Sequence, residues 1–387
     1  MIAPKLRFSE FKDEWKKEPL GKVVNFSNGK RIPLSEAERK IRQGEYRYYG
    51  ASGVIDYIDD YIFDGQYILI GEDGANILNR SSPLAFVVNG KFWVNNHAHI
   101  FQSKLGNNLF LATYLESLNY EKHNSGTAQP KLNLENLKKI EVANPSTQEQ
   151  TKIAEFLSAV DDKISQLSRQ LELLNQYKKG VMQKIFSQEI RFKNDNGEDF
   201  GEWEEIQLKD FLTLTLRPVD KPNENYHALG VRSHFKGLFN KYDSQPEKNS
   251  MDVLYEVFEN DIVVNITFAW EGAMAIANKI HHKGLVSHRF PTYQTDESKI
   301  LLNFFRYIFI QKDFLAELQL CSPGGAGRNR VLSKKDFLEI SILKPSVQEQ
   351  AKIAEFLTAI DERIDHTTAQ LTHTKQWKKG LLQQMFV

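Results

Sequence analysis

The sequence predicts a mixed α/β fold, with two globular domains separated by two long antiparallel coiled-coil helices in a pseudo-two-fold arrangement. Three observations predict this fold. A segment of the chain recurs 200 positions further on, at Pro145 and at Pro345. Each copy has apolar residues at helical spacing. The stretch before each copy alternates short apolar runs with turn-forming residues, which is typical of short strands.

The repeated segment is nearly identical in its two copies. From Pro145 to Asp161 the chain reads PSTQEQTKIAEFLSAVD, and from Pro345 to Asp361 it reads PSVQEQAKIAEFLTAID. The match resumes at Gln176 and Gln376, with QYKKGVMQKIF and QWKKGLLQQMF. The globular segments before the two copies hardly resemble each other. We interpret the chain as a duplicated unit that kept its helices while its domains diverged.

Each copy has the signals of a long helix. Ser146 and Glu149 have the spacing of a capping box, as do Ser346 and Glu349. Apolar residues then follow at spacings of three and four, as in a coiled coil. In the first copy they are Ile153, Phe156, Leu157, Val160, Ile164, Leu167, Leu171, Leu174, Val181 and Ile185. Each helix would be roughly 40 residues and ~60 Å long at 1.5 Å per residue.

The two helices are expected to pair in antiparallel orientation. A compact second domain would bring the end of the first helix close to the start of the second helix. Gly180 and Gly380 occupy equivalent places inside the two helical patterns. A glycine there costs about 1 kcal/mol relative to alanine. Its repetition indicates either the close approach of another backbone or a local break in each helix.

The repeat defines four segments. We place the first globular domain at residues 1–145, the central helix at 146–189, the second globular domain at 190–344 and the C-terminal helix at 345–387. Within the second domain, Leu302 to Gln319 has the pattern of one amphipathic helix. Its expected counterpart in the first domain is Leu109 to Leu118.

Composition limits the functional classes. The chain has 50 basic and 50 acidic residues, so its formal net charge is zero. A free-standing DNA-binding protein is usually strongly basic, so DNA binding would require partner subunits that share the phosphate contacts. The single cysteine, Cys321, allows no internal disulfide and no cysteine-based zinc site. We find no signal peptide and no membrane span, and we expect a cytoplasmic location.

The repeated helices resemble the spacer regions of type I restriction-modification specificity subunits. The resemblance lies in QEQTKIAEFL at 148–157 and QEQAKIAEFL at 348–357. A further stretch, SGTAQPKLNL at 125–134, is similar to the loop that closes a target recognition domain in that family. The resemblance covers the whole chain in the order domain, helix, domain, helix.

The resemblance implies a function and partners. Each domain would be a target recognition domain that reads one half of an asymmetric, bipartite site in double-stranded DNA. Two methyltransferase subunits, which bind S-adenosylmethionine, would pack on the helices. Restriction subunits, which use ATP and Mg²⁺, would complete the complex. The chain itself would bind no cofactor and no metal.

Base reading requires polar side chains on loops that reach a groove of DNA. In the first domain these are a basic turn, an Asn-Asn-His stretch and the loop from residue 125. A solvated turn or structural hydrogen bonding remains an alternative for the first two. We also expect His97 and His99 to face the same side of a strand, as a weak metal pair at most. The candidates are Lys30, Arg31, Asn95, Asn96, His97, Ser125, Thr127, Gln129 and Lys131.

In the second domain, polar and basic residues follow strand-like runs. A glycine-rich basic loop at residues 324–332 suits close approach to phosphates. It lacks the Gly-Lys-Ser/Thr ending of a nucleotide-binding loop. The candidates are Arg232, His234, Asn265, Thr267, Trp270, His288, Arg289, Arg328 and Arg330.

We predict that the chain has no catalytic centre. It has no Asn/Asp-Pro-Pro-Tyr/Phe stretch for the methylation of adenine, and Asn144-Pro-Ser-Thr147 is only superficially similar. The acid-x-lysine triplets at 161–163 and 297–299 fit a minimal nuclease pattern, but this pattern is so short and common that we attribute both matches to chance. The alternatives are a coiled-coil adaptor without DNA specificity, and a nuclease or methyltransferase that acts alone.

Overall fold

The computed structural model describes residues 3–104, 106–126, 129–325 and 330–386. The chain divides into two compact units. The first unit is Met1–Glu172 together with His366–Val387, and the second unit is Leu173–Asp365. Each unit therefore contains one globular domain and a part of each long helix.

The first unit alternates short strands and short helices before the first long helix. Its elements in chain order are β1 (Lys16–Pro19), α1 (Leu20–Val23), β2 (Val24–Phe26), α2 (Glu36–Ile41), β3 (Gln43–Gly50), β4 (Gly53–Ile58), β5 (Phe63–Asp64), β6 (Tyr67–Gly71), α3 (Asn76–Asn79), β7 (Ala85–Val88), β8 (Lys91–Val94), β9 (Ala98–Ser103), α4 (Asn108–Ser117), α5 (Leu134–Lys139) and β10 (Glu141–Asn144), followed by α6 (Thr147–Phe186).

The second unit has a similar series. Its elements are β11 (Glu204–Gln207), β12 (Leu212–Leu214), β13 (Pro218–Asp220), β14 (Tyr226–Val231), β15 (Leu238–Ser244), β16 (Val253–Val257), β17 (Ile262–Val264), β18 (Met274–Ile276), β19 (Gly284–Val286), β20 (Thr292–Thr295), α7 (Leu302–Phe309), α8 (Lys312–Leu320), α9 (Lys334–Glu339) and β21 (Ser341–Lys344), followed by α10 (Val347–Met385).

The two domains have the same sheet topology, although their sequences hardly match. In the first domain the sheets have the orders β1-β10, β2-β9-β6-β7 and β4-β3-β8-β5. In the second the orders are β11-β21, β12-β20-β17-β18 and β15-β14-β19-β16, with β13 added at the last edge. Even the parallel pair β3–β8 recurs as the parallel pair β14–β19. The duplication thus extends to the domains as well as to the helices.

The mixed α/β fold and the two long helices confirm the predicted fold class. In the first unit, the start of α6 packs against the end of α10: Phe156 meets Trp377 edge-on at 6.0 Å, and Lys378 pairs with Asp161. In the second unit, the end of α6 packs against the start of α10, where Lys178 pairs with Asp361. Within each unit the two helix segments are therefore antiparallel.

Buried polar residues of the repeat attach the first domain to α6. Glu149 is 1% exposed, and both of its carboxylate oxygens accept hydrogen bonds from Arg7, at 2.7 and 2.8 Å. Only half of the predicted capping box is formed, since Ser146 accepts from the Glu149 amide while the carboxylate is used by Arg7. Gln150 donates to Pro145 and Asn144, and its oxygen accepts from the amide of residue 107.

The second domain is attached to α10 in the same way. Glu349 is fully buried and accepts two hydrogen bonds of 2.8 Å from Arg191. Gln350 donates to the carbonyls of Pro345 and Lys299, and it accepts from the amide of Leu301. The Glu-Gln pair of the repeat, Glu149-Gln150 and Glu349-Gln350, is therefore a structural joint between domain and helix.

The structure excludes both explanations of the repeated glycines within the described chain. Helices α6 and α10 run without a break through Gly180 and Gly380. A Cβ atom built at either position meets no atom within 4 Å. No described backbone of this chain therefore requires a glycine at these positions.

We expect Gly180→Ala to raise the free energy of unfolding by about 1 kcal/mol, because alanine has the higher helix propensity and the site has room for a methyl group. Gly380→Ala should do the same. Urea unfolding of the full chain measures both effects. A loss of stability in either variant would contradict the described helix at that position.

One predicted helix is wrong. The stretch Leu302 to Gln319 is not one helix but two, α7 and α8, because the backbone of Gln311 is extended, with φ −70° and ψ 152°. The apolar residues explain the break. On a straight helix with 3.6 residues per turn, Phe314 and Leu318 would lie about 80°, a little less than a quarter of a turn, away from Phe304 and Ile308. The bend allows both sets to be buried. The predicted counterpart forms as the single helix α4.

Candidate nucleic-acid interface

The candidate residues of the first domain lie on connections at one end of its sheets, which we call the first reading face. It comprises the turn after β2, the connections after β6 and β8, and the loop before α5, namely residues 27–31, 72–73, 95–97, 124–126 and 129–131. The connections are bonded to each other. Leu132 donates to the carbonyl of Glu72 at 2.7 Å, and Gly74 donates to Pro130 at 3.0 Å.

Arg31 holds three of these connections together. Its guanidinium donates to the carboxylate of Glu72 at 2.9 Å and to the carbonyls of Ala98 and Asn96 at 2.7 and 3.3 Å. It also donates to the carbonyl of Asn28 at 2.9 Å. With these contacts made, Arg31 positions the loops, and few of its donors are left for DNA.

His99 is a buried part of the same network and does not form a pair with His97. Its Nε2 donates to the carbonyl of Leu132 at 2.7 Å, because a carbonyl can only accept. Its Nδ1 therefore accepts from the amide of Asn28, at 2.9 Å. His97 instead lies in the turn before β9 and bonds Asp73 at 2.8 Å. The expectation that the two imidazoles share one side is wrong, because the chain passes from one sheet to another between β8 and β9.

Burial lowers the pKa of His99 below its ordinary value of 6.5, with a smaller opposing effect from the hydrogen bond to Leu132. The unfolded chain thus gains a proton that the folded domain does not bind. We expect the first domain to lose stability as the pH falls from about 7.5 to about 5.5. Urea unfolding of native chain and of His99→Gln at both pH values measures this loss. The variant should lose less stability, because glutamine can make the same two hydrogen bonds without titrating. His97→Gln, the control, should behave as the native chain; an equal loss in all three would contradict this role of His99.

Asn124 shapes the loop before α5. Its side-chain oxygen accepts from the amides of Gly126 and Lys131, at 3.0 and 2.8 Å, and its amide donates to the carbonyl of Gly126 at 3.2 Å. Ser125 donates to the carbonyl of Lys131 through both its amide and its hydroxyl. Sequence reasoning missed Asn124 and Asn28. The tendency of asparagine to bond its own backbone in turns is the signal that points to both.

The candidates of the first reading face differ in exposure. The exposed ones are Lys30, Asn96, His97, Ser125, Gln129 and Lys131. Asn95 is only 6% exposed, and its side-chain oxygen accepts from the amide of His97 at 2.8 Å. It is therefore a turn-forming residue with little surface for DNA. Thr127 lies outside the described residues.

The candidates of the second domain also lie on connections at one end of the sheets, which we call the second reading face. The connection after β17, residues 265–273, is its centre. Ile266 donates to the carbonyl of Arg289 at 3.0 Å and accepts from Leu332 at 2.8 Å. The glycine-rich loop joins it through Arg330, whose guanidinium lies 5.2 Å from the ring of Trp270. These contacts bring together three connections that are distant in sequence.

Exposure again divides the candidates. Arg232, His234, His288 and Arg289 are exposed, and Thr267, Trp270 and Arg330 are half-buried. Asn265 is 8% exposed, and its side-chain oxygen accepts from the amide of Thr267 at 3.1 Å, as Asn95 does in the first domain. Arg328 lies outside the described residues. Two faces with one topology thus present different polar groups.

Other kinds of site are not found in the described parts of the chain. No group of three or more His, Cys, Asp or Glu side chains is placed there to hold a metal ion. Among the same residues, no helix is long and apolar enough to cross a membrane. Cys321 is buried, and burial raises the pKa of its thiol to about 11.

Comparison with known proteins gives the family. A family model described as type I restriction modification DNA specificity domain matches residues 12–176 and 201–374. A putative type I restriction enzyme specificity subunit of Haemophilus influenzae is 37% identical over 148 residues, which are 38% of this chain and 37% of that protein. The chain thus spans little more than a third of that relative. The type I restriction enzyme MjaVIII specificity subunit of Methanocaldococcus jannaschii is 22% identical over 96% of this chain and 91% of its own length.

The fold also has a counterpart among solved structures. The crystal structure of a type I restriction-modification S subunit from M. genitalium matches with a TM-score of 0.66 and 17% identity, over 100% of this chain and 99% of that chain. The two matches of the family model cover most of the chain, one in each half. The chain belongs to the family of type I restriction-modification DNA specificity proteins.

Proposed function

We propose that this chain is the sequence-reading subunit of a type I restriction-modification complex, and that it reads an asymmetric, bipartite site in double-stranded DNA. Each reading face would contact one half of the site. The chain would direct partner methyltransferase and restriction subunits to that site and would not catalyse a reaction itself. Family membership supports the general function.

One observation carries the two-reader proposal. The joints between domain and helix are the same in both copies, down to the Arg7–Glu149 and Arg191–Glu349 pairs. The topology of the two domains is also the same. The exposed residues on the reading faces differ, with Lys30 and Lys131 on one face and Arg232 and Arg289 on the other. Two domains with the same topology and the same attachment to the helices, but with different exposed residues, support two half-sites of different sequence.

The repeated surface of the helices supports two copies of one partner. A cavity of about 320 Å³ in the first unit is lined by Lys379, Leu382, Gln383 and Phe386, and by Ser117 and Leu118. A cavity of about 570 Å³ in the second unit is lined by the equivalent residues Lys179, Met182, Gln183 and Phe186. Gly180 and Gly380 lie within the same stretches. We propose that a methyltransferase subunit docks at each of these cavities.

The partners would supply the cofactors and part of the charge. S-adenosylmethionine would be bound by the methyltransferase subunits, and ATP and Mg²⁺ by the restriction subunits. Because the net charge of this chain is zero, its phosphate contacts alone should support only weak binding. We propose a cytoplasmic location, where the complex would meet the DNA.

Methylation sequencing of a host that expresses this chain with its methyltransferase tests the proposal. We expect methylated adenines in a motif of two different short parts with an unspecified gap. A host that expresses the methyltransferase alone is the control and should show no such motif. A single contiguous motif, or an unchanged motif without this chain, would count against the proposed function.

A further inference from the structure

The connection between β14 and β15, residues 232–237, is held in an unusual backbone conformation. His234 and Phe235 have φ values of 60° and 54°, and Gly237 has a φ of 83°. A left-handed conformation is tolerated by histidine but is an outlier for a bulky residue such as phenylalanine. Such strain persists only where the surroundings impose it, and it occurs often at functional sites.

The strain is imposed by contacts to the neighbouring connection after β17. His234 and Phe235 donate their amides to the carbonyls of Glu271 and Gly272, at 2.7 and 2.8 Å. The ring of Phe235 packs on Phe309, 5.8 Å away. A Cβ atom at Gly272 would lie 2.7 Å from that ring, so the ring occupies the space that the glycine leaves. Phe235 is therefore the anchor of the connection.

Side-chain contacts complete the anchoring. Ser233 donates to the carboxylate of Glu271 at 2.7 Å. Arg232 donates its amide to the carbonyl of Gly237 at 3.0 Å, which closes the base of the loop. The guanidinium of Arg232 lies 5.0 Å from the ring of Phe239 and donates to the carbonyl of Leu238. The loop is thus ordered before any ligand arrives.

Three basic side chains project from this ordered loop. Arg232, His234 and Lys236 are exposed, and none of them forms an ion pair within the described parts of the chain. They lie on either side of the half-buried anchor Phe235. Among the described residues, Glu271 is the only acidic group bonded to the loop, and it is engaged by Ser233. A rigid loop that presents the cations of Arg232 and Lys236 matches a polyanion, and its rigidity lowers the entropy lost on binding.

The first domain has nothing comparable at the same place. The equivalent hairpin, β3–β4, is joined by Ala51 and Ser52 alone, with Gly50 paired to Gly53. In the second domain the corresponding pair, Val231 and Leu238, is joined by six residues. The basic loop is therefore an addition to a shared topology, at the face where the two domains must differ if they read different half-sites.

We propose that residues 232–237 are the element with which the second domain enters a groove of DNA, where His234 reads a base edge and Arg232 and Lys236 bind the flanking phosphates. The inference rests on the proposed function. Neutral histidine offers one donor and one acceptor, so it can distinguish base edges. Lysine binds phosphate as a point charge without sequence preference.

The test uses the chain assembled with its methyltransferase and measures binding to DNA that carries the methylated motif. We expect His234→Ala to weaken binding to this DNA by about 10- to 100-fold, and to abolish discrimination at one or two positions of one half-site. Lys236→Ala should weaken binding to all DNA sequences alike and should reduce the slope of log affinity against log salt by about 1. Thermal unfolding should be unchanged in Lys236→Ala, since that side chain is exposed, whereas His234→Ala should lose a little stability because alanine tolerates a φ of 60° less well than histidine.

Lys279→Ala is the matched control, because Lys279 is also exposed but follows β18 at the end of the β17–β18 hairpin opposite to this loop. It should bind as the native chain. Undiminished discrimination in His234→Ala, or a loss in Lys236→Ala no greater than in Lys279→Ala, would overturn the inference. Either of these two overturning outcomes is compatible with a two-part methylated motif. Failure of the proposed function would instead show as the absence of that motif.

Discussion

Replacing Arg191 by alanine is expected to lower the free energy of unfolding of the second unit by about 3 kcal/mol. Glu349 is fully buried, and Arg191 supplies both hydrogen bonds to its carboxylate. The hydrogen bond to Glu349 raises the pKa of Arg191, because it stabilises the charged guanidinium. Without the guanidinium, the carboxylate must stay buried and unpaired, take up a proton or move into solvent. Each of these three responses of the carboxylate costs free energy of folding. Urea unfolding of the full chain measures the resulting loss of stability.

Two variants show whether the loss comes from the unpaired charge. Lys193→Ala removes an exposed lysine whose contact with Asp199 is 3.5 Å long, so it should change little. The double variant Arg191→Met with Glu349→Met removes both charges and should be more stable than Arg191→Ala. A native stability of Arg191→Ala would contradict the role given to this joint. The equivalent pair of Arg7 and Glu149 predicts the same outcome for the first unit.

Replacing Gly126 by alanine is expected to reduce methylation at the native site on the order of 100-fold, as displacements of about 1 Å at a positioned site do. A Cβ atom at Gly126 would lie 1.8 Å from the carbonyl oxygen of Gln129 and 2.9 Å from the amide nitrogen of Lys131. Both are backbone atoms, so the loop that Asn124 closes must open. The exposed side chains of Ser125, Gln129 and Lys131 would then lose their positions on the first reading face.

Gly29→Ala is the matched control. Gly29 lies on the same face, but a Cβ atom there meets nothing within 4 Å. Its methylation rate should stay near that of the native chain, as measured with the assembled methyltransferase and DNA of the native motif. Circular dichroism of both variants checks that the chain remains folded. Equal methylation by Gly126→Ala and the native chain would show that this loop does not take part in reading.

The scaffold was largely predictable, because it rests on local signals. The helical spacing and the 200-residue repeat predicted two long helices, and they run over Thr147–Phe186 and Val347–Met385. The common topology of the domains was not predictable, because a sheet order depends on pairings between distant strands such as β3 and β8. The break between α7 and α8 at Gln311 was not predictable for a similar reason. It allows the apolar residues of both helices to pack against one core, which includes residues distant in sequence.

For the reading faces, the sequence predicted which loops are involved but not which side chains are exposed. It places Arg31, Asn95 and Asn265 on loops, but it does not show whether their side chains turn inward. Arg31 is turned inward by partners 41 and 67 residues away. The two asparagines are buried by the turns that they form themselves. The exposed candidates remain predictions of DNA contact, and their grouping on two faces is what the structure adds.

The most direct measurement of the two-reader account is methylation sequencing after residues 190–344 are exchanged for the corresponding domain of another family member. The joint residues Glu349 and Gln350 stay in place, and the incoming domain is chosen to carry an arginine at the position of Arg191, so that the buried pair with Glu349 is kept. The account predicts that one half of the motif changes and the other half is retained. A change in both halves, or in neither, would contradict it.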